Sequence, residues 1–396
     1  MFNLKNTSLV SLLLVAGLPA AAQTPKITGL VQVWYTQMMD NNLRLNSNTG
    51  PYDIRGEFRE NGFAVRRTEI KLAGNVGDNV DWEVMFDPTI TSLPILQDVS
   101  AKYKLPGKIE IKVGQFKNLQ TLEGMTSSSE LMLIERSQMA KRFGDVRDRG
   151  AVASIGFGDS KAINGRLHVG LFNANAKNND NNAQKDMVAR LEMGYGKLHS
   201  FGAYTLQGST NLTDTGSLTG GNFNGSGAPT PEEVLDNKDK TNQMGAYYRF
   251  QDDKIHASFE FITGTIGRLY PSLGSINTNR KHMDQSFMGY VGTLGYTFGS
   301  HSLIARYDNL NYNSGDKWYG DTNPYVSTAA GTDYTPNYSE ITLGYTYAFM
   351  PDKIKNANIK VNYVMRSKNF LTPRASAGQK GEQGGDTLYV CFQTSF

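Results

Sequence analysis

The sequence predicts an all-β protein: a closed, sixteen-stranded antiparallel transmembrane β-barrel. Three observations carry this. No run after the N-terminal segment approaches the ~20 apolar residues of a membrane helix. Sixteen segments instead alternate polar and apolar side chains, the period-two signature of strands about ten residues long. The connectors between them alternate long and short, the pattern of a barrel with short periplasmic turns and long external loops. A soluble two-layer fold would need amphipathic helices to cover so much sheet, and none is present. In a closed barrel the apolar face meets lipid, the polar face meets water, and no backbone edge is left unpaired.

The N-terminal segment reads as an export signal. Lys5 is its only charge, Ser8 to Leu18 is apolar and too short to span a bilayer, and Ala20 and Ala22 fit a small-x-small cleavage pattern. Residues 1–22 are therefore expected to be removed, leaving 23–396 as the barrel.

Strands are expected at 27–37, 62–73, 80–88, 95–104, 108–116, 150–158, 164–174 and 186–196 in the first half. The second half adds 197–207, 242–251, 253–263, 286–298, 301–312, 338–349, 357–369 and 387–396. In 108–116, Ile109, Ile111 and Val113 share one face while Lys108, Glu110 and Lys112 share the other. Strand 164–174 sets Leu167, Val169 and Leu171 against Arg166, His168 and Gly170. Near the C-terminus Ile341, Leu343, Tyr345, Tyr347 and Phe349 oppose Glu340, Thr342, Gly344, Thr346 and Ala348. Leu343 is thus expected on lipid, and Thr342 on a permissive water-filled side. Aromatics near strand ends (Trp34, Tyr35, Tyr195, Tyr247, Tyr248, Tyr296, Phe298, Tyr347, Phe349) suggest membrane-interface girdles. The last strand ends on Phe396, which resembles the segment read by the outer-membrane barrel assembly machinery.

Residues 117–149 stand apart. A loop this long between clear strands points to a functional segment. It interleaves Lys117, Arg136, Lys141, Arg142, Arg147 and Arg149 with Glu123, Glu130, Glu135, Asp145 and Asp148. Its apolar residues, from Leu119 to Ile134, need a wall to pack on, and a sixteen-strand barrel has room for them. The loop is therefore expected inside the barrel, at its narrowest point. Ser127, Ser128 or Ser129 could cap a short helix over Glu130–Arg136. Strand parity places Arg67, Lys71, Lys102, Lys104, Lys112 and Arg166 on the lumen wall, with Glu69, Asp81, Glu83 and Glu110 among them. The excess is mildly basic, and cross-strand ion pairing accounts for much of it.

Composition excludes other classes. The formal net charge of +3 is too near neutral to imply nucleic-acid binding. Cys391 is the only cysteine, so no intrachain disulfide can form. The five histidines lack metal-ligand spacing, and no nucleophile elbow or phosphate-binding glycine loop is found, so neither an enzyme nor a cofactor is expected. Asp180, Asp252, Asp253 and Asp316 lie in turns or loops that could take Ca²⁺, though solvated turns explain them more simply.

Four blocks carry a family resemblance: Phe63–Asp87, Ile111–Ser137 (IKVGQFKNLQTLEGMTSSSELMLIERS), Arg147–Ala151 (RDRGA) and Leu171–Asn182. Together they resemble the phosphate-selective porins O and P of Gram-negative outer membranes. The resemblance implies a homotrimer whose third external loop enters the pore. It also implies that Lys117, Arg136 and Arg147 draw anions through the constriction. The expected function is passive diffusion of small hydrophilic solutes, with a mild preference for anions such as phosphate. The alternative is a barrel plugged by its loops, serving adhesion or envelope anchoring.

Overall fold

In the computed structural model, sixteen strands form one antiparallel sheet that closes on itself, β1 pairing with β16. The structure describes residues 24–39, 61–90, 95–159, 162–178, 180, 185–209, 240–270, 281–311, 314–315, 337–367 and 386–396. The expected export signal lies outside these residues, as do Asp316 and most of the long external loops other than the third.

The strands are β1 (Lys26–Met38), β2 (Gly62–Val76), β3 (Val80–Phe86), β4 (Leu96–Leu105), β5 (Ile109–Lys117), β6 (Arg147–Gly158), β7 (Ile163–Phe172) and β8 (Asp186–Tyr195). They continue as β9 (His199–Ser209), β10 (Lys240–Gln251), β11 (Ile255–Tyr270), β12 (Lys281–Phe298), β13 (His301–Asn311), β14 (Asn337–Ala348), β15 (Ala357–Arg366) and β16 (Thr387–Ser395). All sixteen coincide with the expected segments to within a few residues at most ends. The larger departures are extensions at external ends, to Tyr270 in β11 and from Lys281 in β12. No helix of the described residues is long and apolar enough to cross a membrane.

The outer face follows the expected parity. Ile111, Val113, Leu167, Val169, Leu171, Ile341 and Leu343 are exposed on it. Tyr195, Tyr296, Phe298, Tyr347, Phe349 and Phe396 are exposed near the short turns and form one belt. Two aromatics expected in that belt are elsewhere. Trp34 is 1% exposed and Tyr247 is also buried, both on the inner face. Parity along β1 and β10 turns them inward, where the third loop covers them.

Strand β2 contains the irregularity that matters most. Gln32 pairs with Arg67 but Val33 pairs with Val65, so Arg66 is an extra residue. Such a bulge resets side-chain parity. Phe63 and Val65 face outward before it. After it, Glu69 and Lys71 line the interior cavity. Without the bulge these charges would share the lipid face. It also brings both arginine guanidiniums over the Trp34 ring, at 5.3 Å for Arg66 and 5.8 Å for Arg67.

Candidate functional site

The third external loop, 118–146, lies against the inner wall, and three apolar clusters hold it there. Leu119 packs with Phe116, Val152, Phe172, Val188 and Leu206, with Met125 beside them. Ile134 packs with Trp34, Val364, Tyr389 and Cys391. Met139 and Phe143 join Tyr204, Tyr247, Ile262, Phe287, Val291, Leu310 and Tyr338. Phe143 stacks on Phe287 at 4.2 Å and 17°. These inward apolar residues sit where a water-lined wall would carry polar ones. They are the wall's side of a core inside the barrel.

Polar contacts fix the loop's path. Its helices are α1 (Leu122–Met125) and α2 (Gln138–Phe143), capped by Thr121 and Ser137 through the N–H groups of Gly124 and Ala140. Wall carboxylates accept from both helix starts: Glu260 from the Leu122 N–H at 2.6 Å, and Asp308 from the Gln138 N–H. Negative groups are favoured there because the first N–H groups of a helix have no partner within it. Leu119 and Thr121 adopt left-handed backbone (φ 65° and 53°), costing about 1–3 kcal/mol each. Arg190 offsets that strain by donating to both their carbonyls, at 3.2 and 3.3 Å. On the far side, Gln393 donates to the Ser129 carbonyl at 3.0 Å and Lys360 to that of Leu131.

The serines do not start a helix over Glu130–Arg136. Ser127 caps nothing, and a single 3₁₀ turn, Ser128–Glu130, precedes extended chain at Leu131. The reason is that the segment's carbonyls face outward, Leu131 accepting from Lys360 and Glu135 from Arg306. A helix would take the Leu131 carbonyl into its own ladder.

The expected site residues separate into distinct environments. Arg136 is part of the loop's own frame: its side chain is 2% exposed. It donates to the carbonyls of Glu123 and Thr126 at 2.9 and 2.7 Å and to Asp145 at 3.0 Å. A guanidinium so occupied is closed to the lumen, which corrects its expected place on the water path. Arg67 and Lys141 converge on Glu135 at 3.0 and 2.9 Å. Burial opposes ionisation of Glu135, but Lys141, Arg67 and Arg66 outweigh it and hold the carboxyl well below the usual range. Arg149 donates to Gln115 and to the Lys177 carbonyl at the external end of the wall. Arg142 is exposed on α2. Lys117, Lys71, Lys112 and Arg147 line a cavity of about 660 Å³ between the loop and the β2–β7 wall.

That wall carries a connected ladder of charge. Glu83 takes Lys71 and Lys112, the latter at 2.8 Å. Asp81 takes Lys102 and Lys104 at 3.2 and 2.7 Å. Glu110 takes Lys102 at 3.5 Å and Arg166. Five cations thus share three carboxylates. Arg147 pairs with Asp98 at 2.7 Å, Lys117 and Arg136 share Asp145 at 3.0 Å each, and Glu69 adds one acid that accepts from Ser128. The ladder was legible as lumen-facing charge. Arg66 was not, because parity alone sends it to lipid; the adjacent arginines in one strand were the available sign of a bulge.

A sequence model described as "Phosphate-selective porin O and P" matches residues 39–369. The chain belongs to that family. This porin is accordingly an outer-membrane channel. Its fold is shared with solved structures of low identity. The channel DcaP of Acinetobacter baumannii aligns with TM-score 0.56 at 12% identity, over 96% of this chain and 99% of that one. The anion-selective porin from Comamonas acidovorans gives 0.52 at 10%, over 94% and 99%. OmpT of Vibrio cholerae, solved in a trimer form, gives 0.52 at 10%, over 94% and 99%. No curated protein sequence matches this chain.

Proposed function

We propose that this porin passes small hydrophilic solutes by passive diffusion with a mild preference for anions, and that its third loop forms the narrowest section. The observation that carries the preference is the β2–β7 ladder, in which five cations share three carboxylates, with Lys71, Lys102 and Lys112 of the five lining the open cavity. Rings and rows of charge, rather than single residues, set selectivity in wide pores. Low-dielectric walls focus the field of such an excess and raise local anion concentration. Glu69 offsets part of it, which keeps the preference mild.

The family and the trimeric OmpT support a homotrimer for this chain. Phe396, exposed at the end of the closing strand, is proposed as the residue read by the barrel assembly machinery. Residues 1–22 are proposed as the export signal.

Substituting Lys71 and Lys112 together by Gln tests the selectivity. Gln can still donate to Glu83, so the wall keeps its hydrogen bonds while losing two charges. Reversal potential in a KCl gradient is expected to shift toward cations, most at low salt, where screening is weakest. An unchanged potential in a folded variant would place the ion path away from this wall. A barrel plugged by its loops would instead show no unitary conductance.

A further inference from the structure

We infer that the cavity between the third loop and the β2–β7 wall is a subsite for organic anions that carry an apolar body, such as aromatic carboxylates, in preference to inorganic phosphate. The inference rests on the proposed anion preference and names the solute class within it.

The cavity changes character along the wall. On β5 the inward residues run from Glu110 and Lys112 near the short turn to Phe116 near the loop. On β6 they run from Ser154 to Val152. The loop adds Leu119 and Met125 at the same level. The junction is intimate: the Lys112 ammonium stands 4.6 Å from the centroid of the Phe116 ring. A carboxylate held by Lys112 or Lys71 would have apolar side chains beside it.

Inorganic phosphate matches this arrangement poorly. It is small, strongly hydrated and without apolar surface. Dehydrating it takes several converging donors with charge to spare. Here Lys71 and Lys112 already share Glu83, Lys117 shares Asp145 with Arg136, and Arg147 is paired with Asp98. A carboxylate needs fewer donors, and an attached ring gains from leaving water in proportion to the area covered, at roughly 25 cal/mol per Å². The size agrees as well: about 660 Å³ lies within the range of pockets that hold organic ligands, roughly 300–1,000 Å³, and far exceeds one phosphate.

The test is block of single-channel current through the full-length porin in planar bilayers, with sodium benzoate, sodium acetate and sodium phosphate added separately at one pH. Benzoate is expected to bind about tenfold more tightly than acetate or phosphate. Met125→Ser should cut the benzoate-to-phosphate ratio about threefold. Met125→Gln, which keeps the side-chain length, replaces it if the serine variant does not fold. Phosphate blocking as strongly as benzoate, or a ratio unmoved by the Met125 change, overturns the inference. Reversal potential read in the same bilayers separates the two levels. Equal block with anion preference intact removes only the organic-anion subsite, whereas cation preference removes the proposed function beneath it.

Discussion

Replacing Arg306 by Ala is expected to destabilise the porin by ~3–5 kcal/mol and to raise its conductance and current noise, the largest combined effect of any single change on the loop. Arg306 stands on β13 and is the wall residue on which the loop's two halves converge. Its guanidinium reaches Glu123 at 3.3 Å, the Glu135 carbonyl at 2.7 Å and Glu340 at 3.2 Å. Glu123 in turn accepts from the Ser137 N–H at 2.7 Å, at the start of α2. Removing the cation leaves Glu123 without its ion pair and Glu340 with one cation fewer, and the penalty comes from that uncompensated charge rather than from the loss of one attraction. Glu340 keeps Arg366, Tyr338 and Thr342, so the barrel wall retains part of its network. Glu123 lies on the loop and keeps much less. The loop is therefore expected to loosen before the barrel opens. Urea titration of the folded form, followed by its heat-modifiable migration on gels, reads the first effect, and planar-bilayer recording reads the second. Full stability with unchanged conductance would mean that the apolar clusters alone set the loop's position.

How far the sequence could be read depended on what lies across the lumen from each residue. Period-two alternation is a property of the strand itself, so Leu167, Val169, Leu171, Ile341 and Leu343 could be assigned to the outer face without knowing their neighbours. The inner face is different. Tyr204, Phe287 and Tyr338 look like interruptions of a polar wall until α2 is packed on them. Arg136 looks like a pore cation until the loop's own carbonyls close around it. The short helices were misplaced for the same reason. The serine cap pointed to the segment after Ser127, but Lys360 takes the Leu131 carbonyl that a helix there would need. Arg66 failed through local geometry, since a one-residue bulge puts it inside next to Arg67, where strict alternation sends it to lipid. The charge ladder succeeded because its partners are cross-strand neighbours, which parity and register define together.

The two faces of β14 provide the second test, and the structure changes its form. Leu343 lies midway along β14, is 49% exposed on the outer face and pairs with Ala305 and Tyr363. Arg there has no water or carboxylate within reach at the membrane midplane, and Leu343→Arg is expected to cost ~2–4 kcal/mol. Sequence parity makes Thr342 the natural control on a permissive lumen side. In the structure Thr342 is 1% exposed and bonded to Glu340 at 3.1 Å, so an Arg at that site would collide with the packed network. The valid control lies across the lumen. Ala73 lines the open cavity on β2, near Lys71 and Glu83, where a long cation can reach water. Ala73→Arg is expected to leave folding yield nearly unchanged and, by adding positive charge beside the ladder, to strengthen anion preference. Refolding yield into lipid vesicles should therefore fall for Leu343→Arg and for Thr342→Arg but hold for Ala73→Arg. Thr342→Arg behaving like Ala73→Arg would show that water, not the third loop, covers the inner face of β14. That result would undo the division of the lumen into a packed half and an open half, on which the proposed path depends.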